Sequence, residues 1–219
     1  MAGQAYVTGQ NIGRKVAAWK RALSPYERHP FRITPEGTAL LVIDMQRYFT
    51  SSDSHAYLPA SKAIMPRVLG IVSKFLQKGR PVIFTRHAHR PGEEGVLGVW
   101  WKDTIREGTP ESELDSRLEA GRSPVLRKTR YSAFAKTGLE ARLRALRTRT
   151  LAIAGVMTHL CCETTARDAF MIDLQPVVLM DATATDDETL HLSSLRTLAD
   201  GFAEVMTCRE LEGRLGWRT

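Results

Sequence analysis

Apolar residues fall along this chain in two alternating rhythms. Thr38-Ala39-Leu40-Leu41-Val42-Ile43 runs without a polar break and stops at Asp44. Such a run predicts a strand buried on both faces, as in a parallel sheet. Residues 61–78 instead place Ile64, Val68, Ile71, Val72, Phe75 and Leu76 at helical spacing, and Gly79 ends the pattern. Pro81-Val82-Ile83-Phe84-Thr85 predicts a second buried strand, which completes a βαβ unit.

The alternation then resumes. Val125-Leu126 leads as a short strand into Lys128, and residues 138–147 form a basic amphipathic helix. A strand over 150–154 ends at Gly155, and a helix opened by Cys161 continues over 164–173. A strand over 176–180 ends at Asp181, followed by a helix over 187–200 and a short strand over 203–206. This order predicts an α/β fold of three layers, a doubly wound, mostly parallel, Rossmann-like sheet of about six strands. Residues 86–123 interrupt the rhythm with Pro91-Gly92, Gly95, Gly98, Trp100 and Trp101. A connection of that length in a compact domain usually carries function.

Composition changes this picture only at the N-terminus. The 219 residues are 43% hydrophobic and 25% charged, ordinary values for a globular chain. Arg14, Lys15, Lys20, Arg21, Arg28 and Arg32 face a single acid, Glu27, so most of the net charge of +7 lies there. Residues 1–35 therefore read as a basic N-terminal arm and 36–219 as one domain. Val16, Trp19 and Leu23 at helix-like spacing suit a packing segment, against a partner subunit or the arm's own domain. No nucleic-acid motif accompanies the basic residues. No apolar run is long enough to cross a membrane, and residues 1–30 lack the apolar centre of a signal peptide. The three cysteines, Cys161, Cys162 and Cys208, include an adjacent pair, which is no disulfide framework and suits the cytoplasm.

Reactive groups in such a sheet collect outside the carboxyl ends of the strands. Asp44, Lys128 and Cys161 each follow a strand, so an acid, a cation and a thiol share one edge. At a helix start, free N–H groups favour a thiolate and a developing oxyanion. Asp44 is then placed to take the thiol proton and Lys128 to stabilise the charge. Taken singly, each has a plainer reading: a capping aspartate, a surface lysine, an inert buried thiol.

Four segments decide between these readings. They are Leu41-Val42-Ile43-Asp44-Met45-Gln46-Arg47-Tyr48-Phe49, Lys128-Thr129-Arg130-Tyr131-Ser132-Ala133-Phe134, Gly155-Val156-Met157-Thr158-His159-Leu160-Cys161 and Thr164-Thr165-Ala166-Arg167-Asp168-Ala169-Phe170. In order and spacing they resemble the isochorismatase-like cysteine hydrolases: nicotinamidases, N-carbamoylsarcosine amidase and the isochorismatases. The resemblance runs from about Ala39 to Leu211. It implies Asp44 as general base, Lys128 as its charged partner and Cys161 as nucleophile. It further implies an oxyanion hole from the N–H groups of Met157 and Cys161, and a cis peptide between Val156 and Met157. Phe49, Trp100, Trp101 and Tyr131 are the expected pocket wall.

The resemblance also frames what is open. Isochorismatases hydrolyse a vinyl ether without a thiol and carry no cysteine where Cys161 stands, so this chain reads as a hydrolase of an amide, carbamoyl or ureido C–N bond. Cys162 and His159 read as structural. Nicotinamidases bind a metal on an Asp-x-His step, which here is His87-Ala88-His89, with His55 or Asp53 nearby. Two imidazoles at this spacing are weak candidates for zinc, and the expected chemistry requires no cofactor. The expected partners are a small-molecule substrate and further copies of the chain, as a homodimer or homotetramer. The remaining alternatives are an ether hydrolase using Asp44 and Lys128 alone, and a non-catalytic binding protein docking through its basic arm.

Overall fold

The computed structural model describes residues 5–26 and 30–217; Glu27 and Arg28 of the basic arm lie outside them. The elements are α1 (Ile12–Leu23), β1 (Thr38–Ile43), α2 (Arg47–Thr50), α3 (Ser61–Gln77), β2 (Val82–His87) and α4 (Val96–Trp101). They continue with β3 (Val125–Lys128), α5 (Leu139–Ala145), β4 (Thr150–Val156), α6 (Glu163–Met171), β5 (Gln175–Ala184), α7 (Glu188–Gly201), β6 (Glu204–Met206) and α8 (Cys208–Arg214).

The six strands form one sheet in the order β3-β2-β1-β4-β5-β6, and every pairing is parallel. Every residue of β1 and β4 is buried, as unbroken apolar runs covered by helices on both faces require. The chain winds outward from β1 through β2 to β3, then restarts at β4 and winds the other way. The order reverses between β1 and β4, and side chains leaving their carboxyl ends face one crevice.

Gly155 sets the closeness of those two strands. It pairs with Ile43 and has φ +118°, and a Cβ there would lie 2.0 Å from the Ile43 carbonyl oxygen. Only glycine allows this approach and this backbone angle.

The strands run further than their apolar cores. β2 extends to His87 because Arg86 and His87 pair with Arg127 and Lys128 of β3. β5 passes through Asp181 to Ala184. The Asp181 carboxylate is satisfied inside the fold, accepting from the Cys208 N–H at 2.8 Å with Arg67 at 3.5 Å, so it does not end the strand. The irregular stretch 86–123 contains the short α4 and a single 3₁₀ turn over Pro110–Ser112.

The arm lies on the domain. α1 buries Ile12, Trp19 and Leu23, and Lys15 and the Trp19 indole N–H both reach Glu188 at the start of α7. Tyr6, Trp19 and His191 form an aromatic cluster, with Trp19 and His191 ring centres 4.5 Å apart. Among the described residues no helix is long and apolar enough to cross a membrane.

Candidate active site

Four strand ends meet at the switch point. Asp44 follows β1 with φ 49°, a left-handed backbone that non-glycine residues adopt rarely and often at functional sites. Thr85 of β2 holds it there: its hydroxyl donates to Asp44 Oδ1 at 2.7 Å and accepts the Asp44 N–H at 3.2 Å. His87 ends β2 and Lys128 ends β3, side by side in register. After β4 the Val156–Met157 peptide is cis, and a π-helical turn, Thr158–Cys162, carries Cys161. The turn takes the place of the expected helix start; α6 begins only at Glu163.

The Lys128 ammonium lies at the centre. Nζ is 2.7 Å from Asp44 Oδ2 and donates to Cys161 Sγ at 3.2 Å and to the Arg130 carbonyl at 3.0 Å. His87 Nδ1 is 3.2 Å from the same nitrogen. The Asp44 and Lys128 side chains are fully buried. Burial is the largest single influence and opposes the charged form of Lys128, but Asp44 and Cys161 together outweigh it, and the ammonium is held above its ordinary pKa.

Cys161 follows the opposite balance. Burial dominates, Lys128 only partly offsets it, Asp44 adds to it, and the thiol is pushed up to about 12. Burial thus opposes the thiolate that the N–H groups of a helix start would favour. The sulfur is buried beside a carboxylate, and it rests as a thiol. Ionisation has to be coupled to proton transfer, for which Asp44 is in place.

A pocket of about 370 Å³ opens over this cluster, and Cys161 lines it while Cys162 does not. Cys162 is fully buried, and its N–H donates to the Met157 carbonyl at 3.2 Å. Met157, Phe49, Trp101 and Tyr131 line the pocket, and the Trp101 indole N–H donates to the Tyr131 hydroxyl at 2.7 Å. Trp100 does not belong to the wall. Consecutive helical residues point about 100° apart, and with Trp101 half exposed at the pocket Trp100 is 74% exposed. His159 faces Thr185, its Nδ1 2.7 Å from the hydroxyl, and is absent from the pocket lining.

The two imidazoles of the histidine step meet different neighbours. His89 Nε2 faces the Thr129 carbonyl at 3.1 Å, so Nε2 carries the hydrogen, and Nδ1 is buried without a partner. Among the described residues, one group brings acid, imidazole and thiol ligand atoms within 4.8 Å of one another: Asp44, His87 and Cys161. The Lys128 ammonium already touches all three. His55 lies apart, against Asp103 at 2.6 Å, and Asp53 is exposed.

Several residues of the site carried no legible signal. Gln46 is fully buried; its Oε1 accepts the His87 N–H at 2.7 Å and its Nε2 donates to the His87 carbonyl at 3.0 Å. Asp103 accepts from the Tyr48 hydroxyl at 2.8 Å, and both line the pocket together with Asp186. An amide two residues past the strand-ending Asp44 was the one available hint for Gln46. Asp103 and Asp186 lie on segments whose path the sequence pattern does not fix.

Known proteins resemble this chain in sequence and in fold. Residues 38–210 match the family described as Isochorismatase domain. The chain is 40% identical over 182 residues to Nicotinamidase 3 of Arabidopsis thaliana, covering 81% of this chain and 88% of that one. It is 30% identical over 190 residues to Enterobactin synthase component B of Escherichia coli (strain K12), covering 85% of this chain and 66% of that one. The solved structure of a cysteine hydrolase from Pseudomonas syringae pv. phaseolicola 1448A superposes with a TM-score of 0.80 at 27% identity, covering 84% of this chain and 95% of that one.

Proposed function

The chain belongs to the isochorismatase family and is a hydrolase acting on C–N bonds other than peptide bonds; from that premise we propose that it cleaves a small amide, carbamoyl or ureido compound through a Cys161 thioester. The observation that carries this reading is the buried Lys128 ammonium in contact with both Asp44 and Cys161, the sulfur being the member of the three that lines the pocket.

The steps follow from the contacts. Asp44 takes the proton from Cys161 as Sγ attacks the substrate carbonyl carbon, and Lys128 holds the sulfur's charge. The N–H groups of Met157 and Cys161 receive the carbonyl oxygen as it becomes an oxyanion. The tetrahedral intermediate collapses with loss of the C–N bond, and Asp44 returns its proton to the departing nitrogen. Water, deprotonated by Asp44, then attacks the thioester and releases Cys161 as thiol. Phe49, Trp101 and Tyr131 hold the substrate's flat apolar part. No cofactor enters any step.

An ammonia-release screen over primary amides, N-carbamoyl amino acids and ureides tests this reading. Cys161→Ala is expected to abolish turnover and Cys162→Ala to leave much of it. Full activity in Cys161→Ala would sink the covalent route. Isochorismate hydrolysis that survives the same change would favour a thiol-free reaction on Asp44 and Lys128, the second reading that the likeness to Enterobactin synthase component B supports. We further place the protein in the cytoplasm as a homodimer or homotetramer. The free state of Cys161, Cys162 and Cys208 and the exposed Val96, Val99 and Trp100 on α4 are in keeping with this. Sedimentation of the full chain checks the assembly.

A further inference from the structure

The N-terminal arm reaches the turn that carries Cys161. Tyr6 and Trp19 lie outside the stretch 38–210 that matches the family, yet Trp19 is only 2% exposed. Its ring centre lies 4.5 Å from that of His191 on α7, and the Tyr6 ring centre lies 5.8 Å from the same imidazole. His191 is fully buried, and its Nδ1 is 2.9 Å from the hydroxyl of Thr158, the first residue of the π-helical turn. Ser194, three residues further along the same face of α7, donates from its hydroxyl to the Thr158 carbonyl at 3.3 Å. Thr158 is thus held at its hydroxyl and its carbonyl by one face of α7, and Trp19 packs against that face through His191.

A second line of contacts runs beside the first. The Tyr6 hydroxyl oxygen accepts the Thr185 N–H at 3.3 Å. The Thr185 hydroxyl donates to Asp186 Oδ1 at 2.7 Å, so it accepts from His159 Nδ1, also at 2.7 Å. His159 is the second residue of the turn. The arm is itself anchored where α7 begins, since Lys15 and the Trp19 indole N–H both reach Glu188. Within the turn, the Cys162 N–H donates to the Met157 carbonyl at 3.2 Å, and the Glu163 N–H to the carbonyls of Thr158 and Leu160. Those two amides close the turn around Cys161, and their hydrogen exchange reports how often it opens.

We propose that Trp19 and Tyr6 are positioning residues for the nucleophile: Trp19 steadies Thr158 through His191, and Tyr6 steadies His159 through Thr185. The proposal rests on the reading of Cys161 as nucleophile. Thr158 and His159 form the entry to the turn, and Cys161 sits two residues beyond. An entry held at two points keeps Sγ in place against Lys128 and at the pocket. A shift of about 1 Å at a reacting atom can cost about a hundredfold in rate, so a modest loosening of the entry is enough to slow the chemical step. Neither Tyr6 nor Trp19 lines the pocket, so the substrate's own contacts are left unchanged.

The test combines two measurements on the full chain: deuterium exchange of the Cys162 and Glu163 amides, and steady-state ammonia release from benzamide. In Trp19→Ala the two amides are expected to exchange about tenfold faster. In the same variant kcat is expected to fall about tenfold while KM stays within about twofold. Trp19→Phe keeps a ring against His191 and is expected to restore both readings. Leu23→Ala is the control. Leu23 is buried on the same helix but lines a separate cavity with Ala199 and Phe202, so its loss loosens the arm and leaves exchange and kcat as in the wild type. Should Trp19→Ala fail to fold, Trp19→Leu makes the same measurement. Unmoved exchange in the ring-free variant, faster exchange with kcat unchanged, or Leu23→Ala matching that variant in both readings would overturn the proposal. The exchange reading depends on no substrate. If ammonia release persists in Cys161→Ala, the nucleophile assignment itself has failed, and that result is distinct from any outcome at Trp19.

Discussion

The floor and the wall of the pocket are built on different principles. The floor is Asp44 and Lys128 at the ends of buried parallel strands and Cys161 on the turn that follows β4, with Asp44 and Lys128 each fixed by a backbone contact as well as by side chains. The wall contributed by α4 is a single short helix with no buried residue, fastened through contacts such as Trp101 to Tyr131 and Asp103 to Tyr48. The chemistry is thus held rigidly while the surface that meets the substrate is cheap to alter. Selection on substrate can act on the wall without disturbing the floor.

The floor should break hardest. Lys128→Met leaves Asp44 buried without its counter-charge. Turnover is expected to fall at least about a thousandfold, with a stability loss of about 3–5 kcal/mol by urea titration. Gly155→Ala drives a methyl into the Ile43 carbonyl and forces a left-handed angle on alanine. A loss of about 3 kcal/mol or more is expected, read as a lowered Tm.

His191 gives the floor a pH signature. Its Nδ1 lies 2.9 Å from the Thr158 hydroxyl in the nucleophile turn, and burial lowers its pKa from 6.5 to about 3. Between those values the unfolded chain takes up a proton that the folded one refuses, so stability falls as pH drops. The slope from this one group is about 1.4 kcal/mol per pH unit. His191→Asn should flatten the slope of urea midpoint against pH between about 6.5 and 4; an unchanged slope would locate the acid sensitivity elsewhere.

The wall should show the smallest effect on stability. Trp101→Ala is expected to raise KM about tenfold with Tm nearly unchanged, while the outward Trp100→Ala changes kcat/KM less than about twofold in the same steady-state assay. A Trp101 variant that melts as badly as Gly155→Ala would erase the distinction between floor and wall.

The floor was also the legible part. An apolar run that ends on Asp44 announces both a buried strand and the edge where its side chain emerges, because burial on two faces leaves no other pattern. The same held for Gly155 before the nucleophile turn. What stayed hidden depends on contacts between distant segments. No spacing rule tells Trp100 from Trp101, since the direction of a six-residue helix is set by what it packs against. The continuation of β5 through Asp181 was masked because its satisfaction comes from Cys208, far along the chain. The thiol's high pKa was missed for a related reason: a helix-start argument counts local dipoles, and burial is a property of the whole fold.

The contact between Gly155 and Ile43 works as a mechanical stop. Because backbone meets backbone there, the separation of the strands leading to Asp44 and Cys161 does not depend on the size of any side chain. Core residues elsewhere in the sheet can drift in volume, and the molecule can lose or gain thermal resistance, while the distance between base and nucleophile stays calibrated. Homologues that differ widely in their interiors could in this way inherit one catalytic gap.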